Sequence, residues 1–158
     1  MYKINSDGAV FQQQQASGVG VVIRDHAGRV VATLSKKLHY PFGLLETEAK
    51  AFEEFVDFTW DVGVQDVHFE CDSLMLSNAI EGLSCRPIAI SNIVSVICHR
   101  LHNFRFVQVS HVRREGNKPV HILAQYAKDL VSYVIWVEED PIIIELALAH
   151  DVLNLSLS

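Results

Sequence analysis

The spacing of apolar residues changes period after Leu38, and that change leaves few folds open to this chain. Up to Leu38 the period is two. In "YKINSDGAVF" Tyr2 and Ile4 alternate with Lys3 and Asn5, and in "SGVGVVIRD" Val19, Val21 and Ile23 alternate strictly, as strands with one face in a core do. Polar "QQQQAS" and the turn residues of "DHAGR" separate these runs from each other and from a third, "VVATLSKKL", so three antiparallel strands open the fold. From Leu44 to Val62 the apolar positions Leu44, Leu45, Ala49, Phe52, Phe55, Val56 and Trp60 follow the 3.6 repeat of a helix.

Strand and helix then take turns. "DVHFECD" reads as a fourth strand, "SLMLSNAIEGL" and "IAISNIVSVICHRLHNF" as helices, "RFVQVSHV" as a fifth strand and "NKPVHILAQYAKDLVSYVIW" as a last long helix. Strands reached through helical crossovers generally return parallel to a neighbour. The expectation is one α/β domain with a five-stranded mixed sheet flanked by helices, a size that 158 residues suit.

Asp7 is out of place in the first strand. Aspartate is depleted from strands, and a buried unpaired carboxylate is costly. If the fourth strand pairs parallel to the first, Asp7 and Asp72 become neighbours at the sheet centre, where open α/β sheets bind ligands. Glu48, in the first turns of its helix, then reaches over to them. At ~4 Å and an effective dielectric of ~20, each pair of carboxylates repels by about 4 kcal/mol. A hard cation, Mg²⁺ or Mn²⁺, would hold such a cluster together. Each acid also has a plainer explanation: Asp7 as a bulge residue, Glu48 as a solvated helix acid, Asp72 as the N-cap of the following helix.

Composition narrows the partners. A net charge of −6 speaks against gripping nucleic acid by bulk charge, while leaving room for metal ions and a small local patch. "HVRREGNK", with Arg113, Arg114 and Lys118, is the clearest such patch. Cys71, Cys85 and Cys98 include no C-x-x-C pair and read as reduced thiols of an intracellular protein, nuclear or cytoplasmic. No basic-then-apolar leader opens the chain, so no signal peptide is expected. The most apolar stretch, "PIIIELALAHDVLNLSLS", contains Glu145, His150 and Asp151, which argues against a membrane span.

The succession "INSDGAV", "GVGVVIRDHAGRVVA", "ETEAKAF", "ECDSLMLSNAI" and "SHVRREGNKPVHILAQYA" resembles the type 1 ribonuclease H family, and more narrowly the retrotransposon-derived, reverse-transcriptase-type domains abundant in plant genomes. The resemblance runs from about Lys3 to Lys128, and "WVEEDPIIIELALAHD" is similar to the usual ending of those domains. It implies a ribonuclease H-like fold with strand order 3-2-1-4-5. The chain is expected to divide into a domain over 1–135 and a C-terminal extension over 136–158, too apolar to stay solvated and so expected to pack on the domain. A monomer is expected, with a dimer through the tail as the alternative.

The resemblance also implies chemistry: hydrolysis of the RNA strand of an RNA–DNA hybrid with two Mg²⁺ ions, or Mn²⁺. The family's metal-binding acids fall on Asp7, Glu48 and Asp72. Its fourth carboxylate falls on His121, a departure from the family's Asp. His111 matches the loop histidine that assists protonation of the leaving group. Gly8, Ser73, Arg113, Arg114 and Asn117 fall at substrate-binding positions, although Asn117 also suits a plain N-cap. The basic handle some relatives use to hold the hybrid is missing, since "EGLSCRPIAIS" has one arginine. The competing expectation, favoured by His121 and the acidic charge, is a retrotransposon-derived module of weak or no activity that binds nucleic acid or protein.

Overall fold

The computed structural model describes residues 1–39, 43–113, 117–139, 141–145 and 148. Short turns build the antiparallel half of the sheet: β1 (Tyr2–Phe11) pairs with β2 (Ala16–Arg24), and β2 with β3 (Val30–Leu38). β1 runs unbroken through Asp7, which lies opposite Gly20. Helix α1 (Leu44–Val62) crosses to β4 (Asp66–Cys71), which pairs parallel to β1. Helices α2 (Leu74–Glu81) and α3 (Ser91–Leu101) then lead to β5 (Phe106–His111), parallel to β4. Helix α4 (Lys118–Tyr126) follows.

The expected last helix stops at Tyr126, ten residues short of Trp136. After a 3₁₀ turn at Ala127–Asp129, Tyr133–Val137 forms a further strand, β6, antiparallel to β3. The sheet therefore has six strands in the order β5-β4-β1-β2-β3-β6, with the anticipated 3-2-1-4-5 inside it. "YVIWV" is β-branched and aromatic throughout, and so short an apolar run carries no period that separates strand from helix. The open edge of β3 decides it. Position 135, where the sequence division was drawn, lies within this strand.

Two layers of side chains hold the sheet. On one face α1 buries Phe52 and Phe55 against Phe69 of β4 and the inward residues Ile4, Val19, Val21 and Ile23. On the other face α4 lies across β1, β2 and β3. It can approach closely there because β2 carries glycines at positions 18 and 20: a Cβ on Gly20 would overlap the Val120 carbonyl oxygen and come within 2.8 Å of Leu123 Cβ. A Cβ on Gly18 would overlap the Ala124 carbonyl oxygen. Such glycines in a strand mark close backbone approach. Ser35 Oγ fastens the helix further by donating to the Leu123 carbonyl at 2.7 Å. From the C-terminal region, Ile144 is fully buried among Val22, Val120 and Leu123. Leu146 and the residues from 149 onward lie outside the described residues. Among those described, no helix is long and apolar enough to cross a membrane.

Gly20→Ala must push α4 off the sheet, so a loss of about 1–3 kcal/mol is expected, as for other overpacked cores. Chemical denaturation checks this. A variant as stable as the parent would show that α4 does not bear on β2.

Candidate active site

Pairing between β1 and β4 ends at Asn5 and Glu70, yet β1 continues. Beyond that point the edge of β1 opens onto a shallow, solvent-open cleft. Ser6, Asp7 and Gly8 line it from β1, Glu48 and Ala51 from α1, and Cys71, Asp72, Ser73 and Leu76 from the end of β4 and the start of α2. Three separate elements thus bring Asp7, Glu48 and Asp72 to one cleft. Ser6, Ala51, Cys71 and Leu76 were not anticipated there, since nothing in their chemistry singles them out.

Asp7 is well enclosed, its side chain 9% exposed. Its Oδ1 accepts the Gly8 amide at 2.9 Å. Its Oδ2 lies 2.8 Å from His121 Nδ1, and since a carboxylate can only accept, the imidazole N–H donates. Burial chiefly, and then repulsion from Asp72, raise the Asp7 pKa above the ordinary carboxylate value. The bond from His121 works against this without cancelling it. Burial likewise pushes the Cys71 thiol up to about 12, with the Asp72 and Glu48 charges adding to the push. That thiol is a packing residue with no nucleophilic role at neutral pH.

The other expected residues divide. Ser73 caps α2, its Oγ accepting the Leu76 amide at 3.3 Å, so the capping considered for Asp72 is made by its neighbour. Gly8 admits α1 closely: a Cβ there would meet Thr47 Cγ2 at 3.0 Å. His111 is exposed at the end of β5, paired in register with Cys71 of β4. His121 is held on α4 with its side chain 54% exposed. Asn117 is 1% exposed and makes no side-chain cap. Its Nδ2 instead donates to the Ser6 carbonyl at 2.9 Å, tying the start of α4 to β1 one residue before Asp7. Arg113 is exposed; Arg114 lies outside the described residues. Arg86, the one arginine of "EGLSCRPIAIS", donates to Ser95 Oγ at 2.7 Å.

The donors are hard oxygens with an excess of negative charge, which suits a divalent cation such as Mg²⁺ or Mn²⁺. Among the described residues no three acidic, histidine or cysteine side chains are already gathered around one point. The acids would therefore close up on binding, with Asp7 Oδ2 exchanging or sharing its imidazole partner.

The family described as reverse transcriptase-like matches residues 5–127 of the chain. Among solved structures, the chain is similar to RNase H1 from the halophilic archaeon Halobacterium salinarum NRC-1, with a TM-score of 0.76 and 21% identity over 81% of this chain and 97% of that one. It is also similar to LC11-RNase H1 in complex with RNA/DNA hybrid, with a TM-score of 0.68 and 20% identity over 82% of this chain and 97% of that one. The foamy viral protease-reverse transcriptase in complex with RNA/DNA hybrid gives a TM-score of 0.66 and 15% identity over 81% of this chain and 20% of that one. No curated protein matches the chain. At these identities the likeness establishes the fold, which is ribonuclease H-like.

Because the Asp7 pKa is raised in the fold, its ionised form is the costly one. Its support for the fold is complete only below the ordinary carboxylate range of about 4 and is lost as pH rises through the shifted pKa. In chelator at neutral pH, Asp7→Asn should therefore melt above the parent, and the gap should close on acidification. Thermal melts that show no gain at neutral pH would mean that Asp7 bears no uncompensated charge.

Proposed function

The chain belongs to the reverse transcriptase-like family, and on that premise we propose that it is a divalent-metal-dependent endonuclease that hydrolyses the RNA strand of RNA–DNA hybrids. One observation carries the proposal: Asp7, Glu48 and Asp72 line a single cleft, at the edge where β4 leaves β1. The RNA/DNA hybrid held by LC11-RNase H1, a structure of the same fold, supports the choice of substrate.

Asp7, Glu48 and Asp72 would hold two ions, Mg²⁺ or Mn²⁺, with His121 in the place of a fourth carboxylate. Bound there, the ions supply an activated water and charge to stabilise the leaving 3′ oxygen. Glu48 and Asp72 would accept a hydrogen bond from the RNA 2′-hydroxyl, the group that distinguishes RNA from DNA. His111, exposed at the end of β5, would return a proton to the leaving oxygen. Arg113 and Lys118, both exposed, would bind phosphates, with Arg114 beside them in sequence. Ser73 and Gly8, which line the cleft, would face the substrate backbone. Contacts of this kind read duplex shape, so sequence preference would be slight. Cys71, Cys85 and Cys98 are all unpaired, which agrees with a reducing compartment.

A second reading rests on the bond from His121 Nδ1 to Asp7 Oδ2. It occupies an oxygen the metals need and brings no negative charge to the site, so the domain could bind hybrid with little or no cleavage.

Labelled hybrid incubated with Mn²⁺ or Mg²⁺ separates the two. The nuclease reading expects cleavage with Mn²⁺, weaker cleavage with Mg²⁺, and none with either ion for Asp72→Asn. His121→Asp should narrow the difference between the ions, because it restores an oxygen ligand that Mg²⁺ prefers. Millimolar Mn²⁺ should also raise the melting temperature of the parent chain but not of Asp7→Asn, by linkage. If the parent binds hybrid without cutting it in either ion, the second reading holds.

A further inference from the structure

β6 ends the sheet on one side, and natural edge strands are normally guarded by lysines, prolines or bulges. "YVIWV" has none of these. Its face toward the α4 side is covered, with Trp136 packed beside Ile122 and Tyr126. Its other face is bare: Tyr133, Ile135 and Val137 are 58%, 43% and 60% exposed. The backbone is equally open. The Glu138 amide donates to the Val31 carbonyl and the Ser132 carbonyl accepts from Lys37, so the even-numbered residues of β6 face β3. By alternation, the N–H and C=O groups of Tyr133, Ile135 and Val137 point out of the sheet.

We propose that this edge is a homodimer interface, in which β6 of one copy pairs antiparallel with β6 of a second around a twofold axis at Ile135. The parity of the outward groups selects the register: Ile135 opposite its own copy and Tyr133 opposite Val137, all with outward-facing hydrogen-bonding groups. The same register brings the three bare side chains of each copy into one apolar strip. Charge selects the direction. Exposed Glu138 and Glu139 flank the C-terminal end of β6. At its N-terminal end stand exposed Lys128 and the ammonium of Lys37, which donates to the Lys128 carbonyl at 3.1 Å; exposed Asp129 adjoins Lys128, and Lys36 is paired with Glu54. Antiparallel pairing sets acids against lysines at both ends, whereas parallel pairing sets like against like. An edge complementary to itself in backbone, shape and charge fits a second copy of the same chain, the isologous arrangement. The pairing would leave the cleft free, because β1 lies three strands inward, about 14 Å at the usual strand spacing.

Sedimentation equilibrium of the full chain over a wide concentration range tests this. The expected mass is twice the 17.7 kDa of the single chain at high concentration, falling to the single-chain value on dilution. Ile135→Lys should be monomeric throughout, with hybrid cleavage per chain unchanged. The pair Glu138→Lys and Glu139→Lys should also be monomeric, and adding Lys37→Glu and Lys128→Glu should restore the dimer. A parent chain that is monomeric at every concentration, or a dimer indifferent to Ile135→Lys, would overturn the proposal.

Discussion

β4 hydrogen-bonds β1 only as far as Asn5 and Glu70, while β1 continues to Phe11. That early parting leaves Ser6, Asp7 and Gly8 paired to β2 alone, at an opening in the middle of the sheet. The elements around the opening follow from it. Asp72 lies just past the end of β4, so its backbone has already turned out of the sheet. Glu48 stands one turn into α1, which Gly8 allows to approach closely. The ends of parallel strands are where open sheets place ligands, and this gap is of that kind. A fold with β1 and β4 paired to their ends would have no room for the acids.

Electrostatics mark the same place. Several acids elsewhere are matched by cations: Arg100 reaches Glu53 and Asp57, Lys36 reaches Glu54, and Arg105 reaches Asp66. At the cleft the partner of Asp7 is an imidazole, and burial with the nearby Asp72 outweighs it. Such perturbed groups concentrate at functional sites. α4 controls how that imidazole is presented. Its register on β2 rests on Gly18 and Gly20, and Asn117 anchors its start to Ser6. These three residues set the position of His121 without touching the cleft.

Strands β1 to β3, helix α1 and the crossovers were legible in the sequence because each has a clean period. β6 was not: five apolar residues after a helical stretch look like more helix until β3 offers an edge. Each of Asp7, Glu48 and Asp72 alone has an ordinary structural explanation; they were legible as a set through the order of strands and helix, which the succession of family-like motifs reinforced. The bond between Asp7 and His121 spans 114 positions, and no local pattern encodes it. Asn117 reads in sequence as a cap or a substrate contact, and burial turns it to Ser6 instead. The glycines of "SGVG" were a usable signal of close helix approach, hidden by the regular alternation of the valines around them.

The central claim is that the three acids form one divalent-metal site at the β1–β4 gap. Titrating an isotope-labelled chain with substoichiometric Mn²⁺ and following paramagnetic broadening of the backbone amides tests it most directly. The amides of Gly8, Glu48, Asp72 and Ser73 should broaden first and together, and Asp7→Asn should remove the effect. Broadening that centres on the acidic face of α1 around Glu53 and Asp57, with the cleft amides unaffected, would contradict it.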